Sequence, residues 1–458
     1  MNDITAFFAF LKYCLGYKGD MSRVITGMDW QELYSFASKQ ALLGLCFDGI
    51  ERLGEEYPDE LRLNPIGREL LMTWMGKAQQ IRRQNRKVNL VASKLFSMLR
   101  EDGMRCCVLK GQGNALMYPN PYSRTPGDID VWIDASRERI MEYAQKKFEL
   151  EDDIRLQHLE TSLDGVPVEL HFFPCSMNNP IYHARLQKWF RRNADLQCSH
   201  IVGLPDEAGD IAIPTTVFNV IYQLTHLYHH FFDEGIGMRQ IIDYFLVVND
   251  FSKNVFLNND LSNHPVNFSN HPVPLSKEGS TFSPSPSSSG SGDVTAPSRC
   301  SEPLRSKDGG PSKVSPDCAG WDRLAIEGDN SAGSTTVVTS SASTALVVVQ
   351  RELKYLGLWK FAGAVMYVLH EALGLPEEKM IAPMDEKRGK LLLAEILNGG
   401  NFGKHFTKYG HFTQQGMAKK YFLKIWRNMH FVRYFPAEAL SEPIFRTWHF
   451  FWRLKHRR

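Results

Sequence analysis

Apolar residues recur at three- and four-residue spacing from Ile4 to about Glu101, through Leu33, Phe36, Leu42 and Cys46 and then Leu70, Leu71 and Trp74. That period predicts a helical N-terminal region over 1–102, of three or four helices. The character changes at Gly103. Arg105-Cys106-Cys107-Val108-Leu109 is a compact β-prone run that ends at Lys110-Gly111, and Gln112 to Tyr118 reads as a short helix. Pro119, Pro121 and Pro126 break the chain before a second strand, Asp128-Ile129-Asp130-Val131-Trp132-Ile133. Ser136 is placed to cap a helix that continues to Lys147. His158 to Leu163 and Val166 to Phe172 alternate around Asp164-Gly165, the pattern of a hairpin.

Two further helices follow, Ile181 to Arg192 and Thr215 to His230, and Met238 to Val248 closes this part. The expected fold class is α+β: a small mixed sheet with helices over 103–248, flanked by helical N- and C-terminal regions. From 249 to 344 periodicity is lost to Ser, Pro, Gly and Asn, as in Ser283-Pro284-Ser285-Pro286, which predicts a disordered insertion. Helical spacing resumes over 345–458, in Ala362 to Leu373, Lys387 to Leu397, Lys419 to Arg433 and an aromatic-rich final helix from Pro443 to Lys455. Aromatic residues on all sides of that helix suggest packing against neighbours ahead of contact with a membrane surface.

Composition changes this picture little. Hydrophobic residues make up 43% and charged residues 23%, enough for a packed interior. The net charge of +2 conceals a skew, because Asn401 to Arg458 carries twelve Lys or Arg against Glu438 and Glu442. A block of this kind could meet an anionic partner, or could be a solvated helix face. The eight cysteines include no C-x-x-C pair and read as reduced thiols, consistent with a cytoplasmic protein. The apolar run Phe7 to Leu11 is short and broken by Lys12, so no leader or membrane-spanning segment is expected.

The candidate chemistry lies in the two strands. Side chains two apart on a strand share a face, so Asp128 and Asp130 project together while Ile129, Val131 and Ile133 turn to the core. In Val168-Glu169-Leu170-His171-Phe172 the same alternation turns Glu169 away from the core, and neighbouring strands would bring it to the aspartates. Converging carboxylates repel one another unless a cation lies among them, and a hard ion such as Mg²⁺ suits oxygen donors. Two Mg²⁺ ions held by Asp128, Asp130 and Glu169 could serve a phosphoryl-type displacement. Lys110, Gly111, Gln112 and Arg124 are the candidate nucleotide-binding residues, as a strand end leading into a helix and as a phosphate-gripping guanidinium. His226 and His230, four apart on one helix, suit a buried network better than a metal site, and Arg239 and Asp243 read as an ion pair.

The run Val108-Leu109-Lys110-Gly111, Tyr118-Pro119, Arg124, Gly127-Asp128-Ile129-Asp130-Val131 and Glu169-Leu170-His171 resembles the uncharacterised nucleotidyltransferase family of the DNA polymerase β-like superfamily. The resemblance continues in His226, Gly237, Arg239, Asp243 and Gly399-Gly400-Asn401-Phe402-Gly403. It implies Mg²⁺-dependent transfer of a nucleoside monophosphate from an NTP to an acceptor hydroxyl, with release of pyrophosphate. It also implies that Asp128 and Asp130 hold both metals and that Glu169 holds the catalytic one. The acceptor could be a small molecule, a nucleic acid or a protein. The competing expectation is an inactive nucleotide-binding or regulatory module, antitoxin-like or RNA-associated. One departure stands out: the superfamily places Gly or Ser after the phosphate-loop glycine, whereas Gln112 follows Gly111 here.

Overall fold

The computed structural model describes residues 3–150, 155–254, 342–404 and 417–456. The N-terminal region forms six helices: α1 (Asp3–Cys14), α2 (Ser22–Thr26), α3 (Trp30–Lys39), α4 (Leu43–Glu56), α5 (Pro58–Leu63) and α6 (Arg68–Glu101). The count exceeds the expected three or four because α2 and α5, of five and six residues, are too short to show a period. Helix α6 runs unbroken for 34 residues.

A four-stranded sheet follows, built from β1 (Cys106–Val108), β2 (Ile129–Ile133), β3 (His158–Leu163) and β4 (Val166–His171) in the order β1-β2-β4-β3. Strands β2 and β4 are parallel, and β1 and β3 flank them antiparallel. Between them lie the four-residue helix α7 (Gln112–Ala115) and α8 (Arg137–Lys147), where Ser136 Oγ accepts from the Arg139 amide as the sequence anticipates. Asp164 and Gly165 both have positive φ, 50° and 71°, the geometry of the expected tight hairpin turn.

The remaining elements are α9 (Pro180–Ser199), a two-stranded hairpin of β5 (Ile201–Gly203) and β6 (Asp210–Ala212), α10 (Thr216–Asp233) and α11 (Met238–Ser252). After them come α12 (Ala342–Tyr355), α13 (Trp359–Leu373), α14 (Glu386–Gly399), α15 (Met417–Met429) and α16 (Pro436–His456). Helix α16 begins seven residues before the expected Pro443, which lies inside it. The 249–344 stretch expected as an insertion contributes the end of α11 and the start of α12, and its centre lies outside the described residues.

The two faces of the sheet meet different cores. Ile129, Val131, Ile133, Val168 and Leu170 pack with Val88, Val91, Leu95 and Leu99 of α6 and Ile140 of α8. Cys107 and Trp132 face the larger helical core, where Trp132 stacks on Phe218 of α10 with centroids 6.2 Å apart. Strand parity therefore assigns Asp130, Glu169 and His171 to the face toward the helices. No helix among the described residues is long and apolar enough to cross a membrane. The six described cysteines are free, and five of them are buried.

Candidate active site

The parallel register sets Asp130 opposite Glu169 and Trp132 opposite His171. His171 Nε2 lies 3.1 Å from Asp130 Oδ1 and 3.0 Å from Glu169 Oε2, bridging the two carboxylates. Lys110, which carries a positive φ of 40° just after β1, sends Nζ to 3.2 Å from Asp130 Oδ1 and 2.8 Å from His226 Nε2. A non-glycine residue in that conformation is strained, and such strain persists where surrounding contacts hold it. His230 Nε2 lies 3.1 Å from His226 Nε2, so α10 contributes a half-buried histidine pair behind the lysine.

These contacts set the charges. Burial alone would raise the Asp130 pKa, but the Lys110 charge and the His171 hydrogen bond outweigh it and hold the carboxyl well below its usual range. Burial raises Glu169 above its ordinary value, only partly offset by His171. For His171 burial favours the neutral ring, yet hydrogen bonding to both carboxylates raises it to about 9. Burial, with the His171 charge next in importance, pushes the neighbouring His158 down to about 2. His226 is held well below its ordinary value by burial and then by Lys110.

The expected site residues divide. Lys110, Asp130 and Glu169 meet on one face. Asp128 sits just ahead of β2, where the strand was expected to have begun already, and is exposed. Gly111 has φ 55° and ψ −112°, a backbone that disfavours any side chain. Gln112 is buried and donates to Asn89 of α6, with its side chain turned into the protein. Arg124 is also buried, and its Nε and Nη2 reach the two Asp243 oxygens at 2.9 and 2.8 Å. Asp243 thus takes Arg124 rather than the anticipated Arg239, because the connection before β2 runs alongside α11. Tyr118 donates to the same carboxylate at 2.8 Å, and Asn85 of α6 holds the carbonyls of Tyr122 and Arg124, each at 2.7 Å.

Sequence reasoning missed His158. It stands opposite His171 on β3 and, with Glu169 and His171, forms a group whose ligand atoms all lie within 4.8 Å of one another. Hairpin parity carried the signal, since His158 and Glu160 share the face of His171 and Glu169.

A family model described as an uncharacterised nucleotidyltransferase matches residues 26–262, which include every residue of this face. The chain belongs to that family. Membership supports nucleotidyl transfer as the general activity and an NTP as substrate, and nucleotidyltransferases generally use a divalent metal. No curated protein and no solved structure matches the chain.

The basic C-terminal block is partly consumed inside the protein. Lys424 and Arg446 pair with Asp233 at 2.8 and 2.9 Å, Arg446 also contacts Glu442, and Arg427 lies 3.7 Å from Glu395. The final helix is mixed: Ile444 and Phe451 are exposed, while Arg137 of α8 sits over the Trp452 ring at 5.5 Å.

Proposed function

We propose that the protein transfers a nucleoside monophosphate from an NTP to an acceptor hydroxyl and releases pyrophosphate, with two Mg²⁺ ions held by Asp128, Asp130 and Glu169. The observation that carries this reading is the register of β2 and β4, which puts Asp130 and Glu169 side by side on one face. Their donor chemistry fits a hard divalent ion, since carboxylate oxygens are the ligands Mg²⁺ prefers. The metals, when bound, neutralise charge on the phosphates and lower the pKa of the attacking hydroxyl.

The remaining roles belong to the chain itself. Lys110 supplies a cation at the mouth of the carboxylate pair and can exchange Asp130 for a phosphate oxygen. Gly111, lacking a Cβ, lets phosphate approach the backbone between β1 and α7. Helix α7 has four residues, so its dipole adds little. Arg124 and Gln112 hold the loop and the α6 face in position, and the phosphates are left to other groups. His171 orients both carboxylates by donating from one nitrogen.

Incubation with Mg²⁺, labelled NTP and a cell extract tests the proposal: wild type should label an acceptor or release pyrophosphate, and Asp128→Asn should do neither. Equal activity in Asp128→Asn would sink it. One observation favours the inactive-module reading, namely that Lys110 and His171 already neutralise Asp130. Tight Mg²⁺-NTP binding without transfer to any acceptor would decide for that module.

A further inference from the structure

Two guanidinium groups are buried beside one carboxylate next to the proposed phosphate-transfer face. Arg124, Arg239 and Asp243 are 4%, 7% and 4% exposed. Asp243 is committed to Arg124 through two hydrogen bonds. Arg239, in the first turn of α11, makes a single hydrogen bond, from Nη1 to the Thr125 carbonyl at 3.1 Å. Its Nε is buried with no hydrogen-bond partner, and among the described residues no carboxylate oxygen lies within 4.0 Å of it. A buried cation with an orphaned donor is costly unless something anionic completes it.

The surroundings show where that anion would lie. A Cβ built at Gly127 would sit 3.9 Å from Arg239 Nη1, so the guanidinium lies under the residue that precedes Asp128. The Phe402 ring covers its other side at 5.4 Å and meets His230 at the same centroid distance. Phe402 has a positive φ of 53°, a conformation held in place by the Gly399–Gly403 turn, and Asn401 of that turn packs directly on Gly237. The loop before β2, the start of α11 and the turn after α14 thus meet at one under-neutralised guanidinium beside the residue that precedes Asp128, and α10 backs Phe402 through His230.

We infer that Arg239 is an anion subsite for the polyphosphate of the nucleotide, occupying the role that the sequence suggested for Arg124. A guanidinium offers a planar fork of donors that matches phosphate oxygens, and Arg239 keeps an unpartnered Nε whereas every nitrogen of Arg124 already has a partner. The first turn of α11 adds the positive end of a helix dipole. This inference rests on the reading that NTP is received at the Asp128 end of the sheet.

Thermal unfolding of the full chain with pyrophosphate, without metal or NTP, tests it. Wild type should be stabilised in a saturable way. Arg239→Met should weaken pyrophosphate binding by about 10- to 100-fold, as expected for lost charge-assisted hydrogen bonds, with Arg239→Lys between the two. The ligand-free Arg239→Met midpoint should equal or exceed that of wild type, because the substitution removes a buried charge that lacks a partner. A ligand-free midpoint lower by several degrees would mark Arg239 as a structural residue and overturn the inference. So would unchanged pyrophosphate stabilisation in Arg239→Met, or none in wild type. Nucleotide label transfer is read separately, so its absence alongside intact pyrophosphate binding would count against the proposed function and leave Arg239 as an anion site.

Discussion

Replacing Asp243 by Ala should be the most damaging single change outside the carboxylate face. Its carboxylate takes the Arg124 fork at 2.9 and 2.8 Å and the Tyr118 hydroxyl at 2.8 Å, with all three residues buried. Two unit charges about 4 Å apart at an effective dielectric near 20 attract by about 4 kcal/mol. Removing one partner also strands the other, and broken buried pairs cost about 3–5 kcal/mol. Here the cost should lie at the upper end, because the charge of Arg239 lies close by and adds to that of the stranded Arg124. For a body of this size each kcal/mol lowers the melting midpoint by about 1–2 °C, so Asp243→Ala should fall by roughly 3–10 °C. Differential scanning calorimetry and urea unfolding would measure it. The double variant Arg124→Met, Asp243→Leu should recover most of the loss, since it removes the stranded Arg124 charge, and Arg239 has no ion pair with Asp243 to lose. A loss below about 1 kcal/mol in the single variant, or no recovery in the double, would refute the view that the Asp243 carboxylate holds the buried Arg124 guanidinium.

Further outcomes follow from other contacts. Asp130→Asn should lower label transfer on the order of 10³-fold, several kcal/mol of transition-state stabilisation, while far-ultraviolet circular dichroism stays unchanged. Gly111→Ala should cost about 1–3 kcal/mol through its positive φ alone, since the nearest atom to an added Cβ is 4.0 Å away; urea titration reads this directly. Glu438 is fully buried, and burial raises it to about 7, against hydrogen bonds from the Asn178 and Asn179 amides. Its folded pKa exceeds its unfolded one, so it favours the fold below about pH 4.5, and that contribution is lost as pH rises through 7. Between pH 5 and 8, Glu438→Gln should therefore gain stability relative to wild type by on the order of 2–3 kcal/mol, followed by urea titration at both pH values.

Alternation of side chains carried much of the site in the sequence. Asp130, Glu169 and the hairpin around Asp164-Gly165 follow from a period of two and a turn dipeptide, both local properties. The β5–β6 hairpin stayed hidden because three-residue strands have no room to show a period. Pro443 resembled a helix start, since proline suits the first helical position, yet Pro436 takes that place and the helix continues past the second proline. The pairing of Arg124 with Asp243, across 119 residues, could not be read from the chain. Spacing of four on one helix made Arg239 the nearer choice, and only the path of the loop before β2 decided between them.

The contacts of α10 bear on how the molecule can be divided. Phe231 and Phe232, well inside the matched family region, pack on Phe431 and Phe435, and Asp233 binds Lys424 and Arg446. Glu438 of α16 holds the amides of Asn178 and Asn179, a few residues beyond β4. A polypeptide ending at residue 262 would keep every carboxylate of the candidate site and yet expose two phenylalanines, an unpaired aspartate and two open amides. Cut there, it should be recovered from expression as aggregate, and adding residues 342–458 as a separate chain should restore a soluble complex, making the C-terminal helices the missing half of a shared interior.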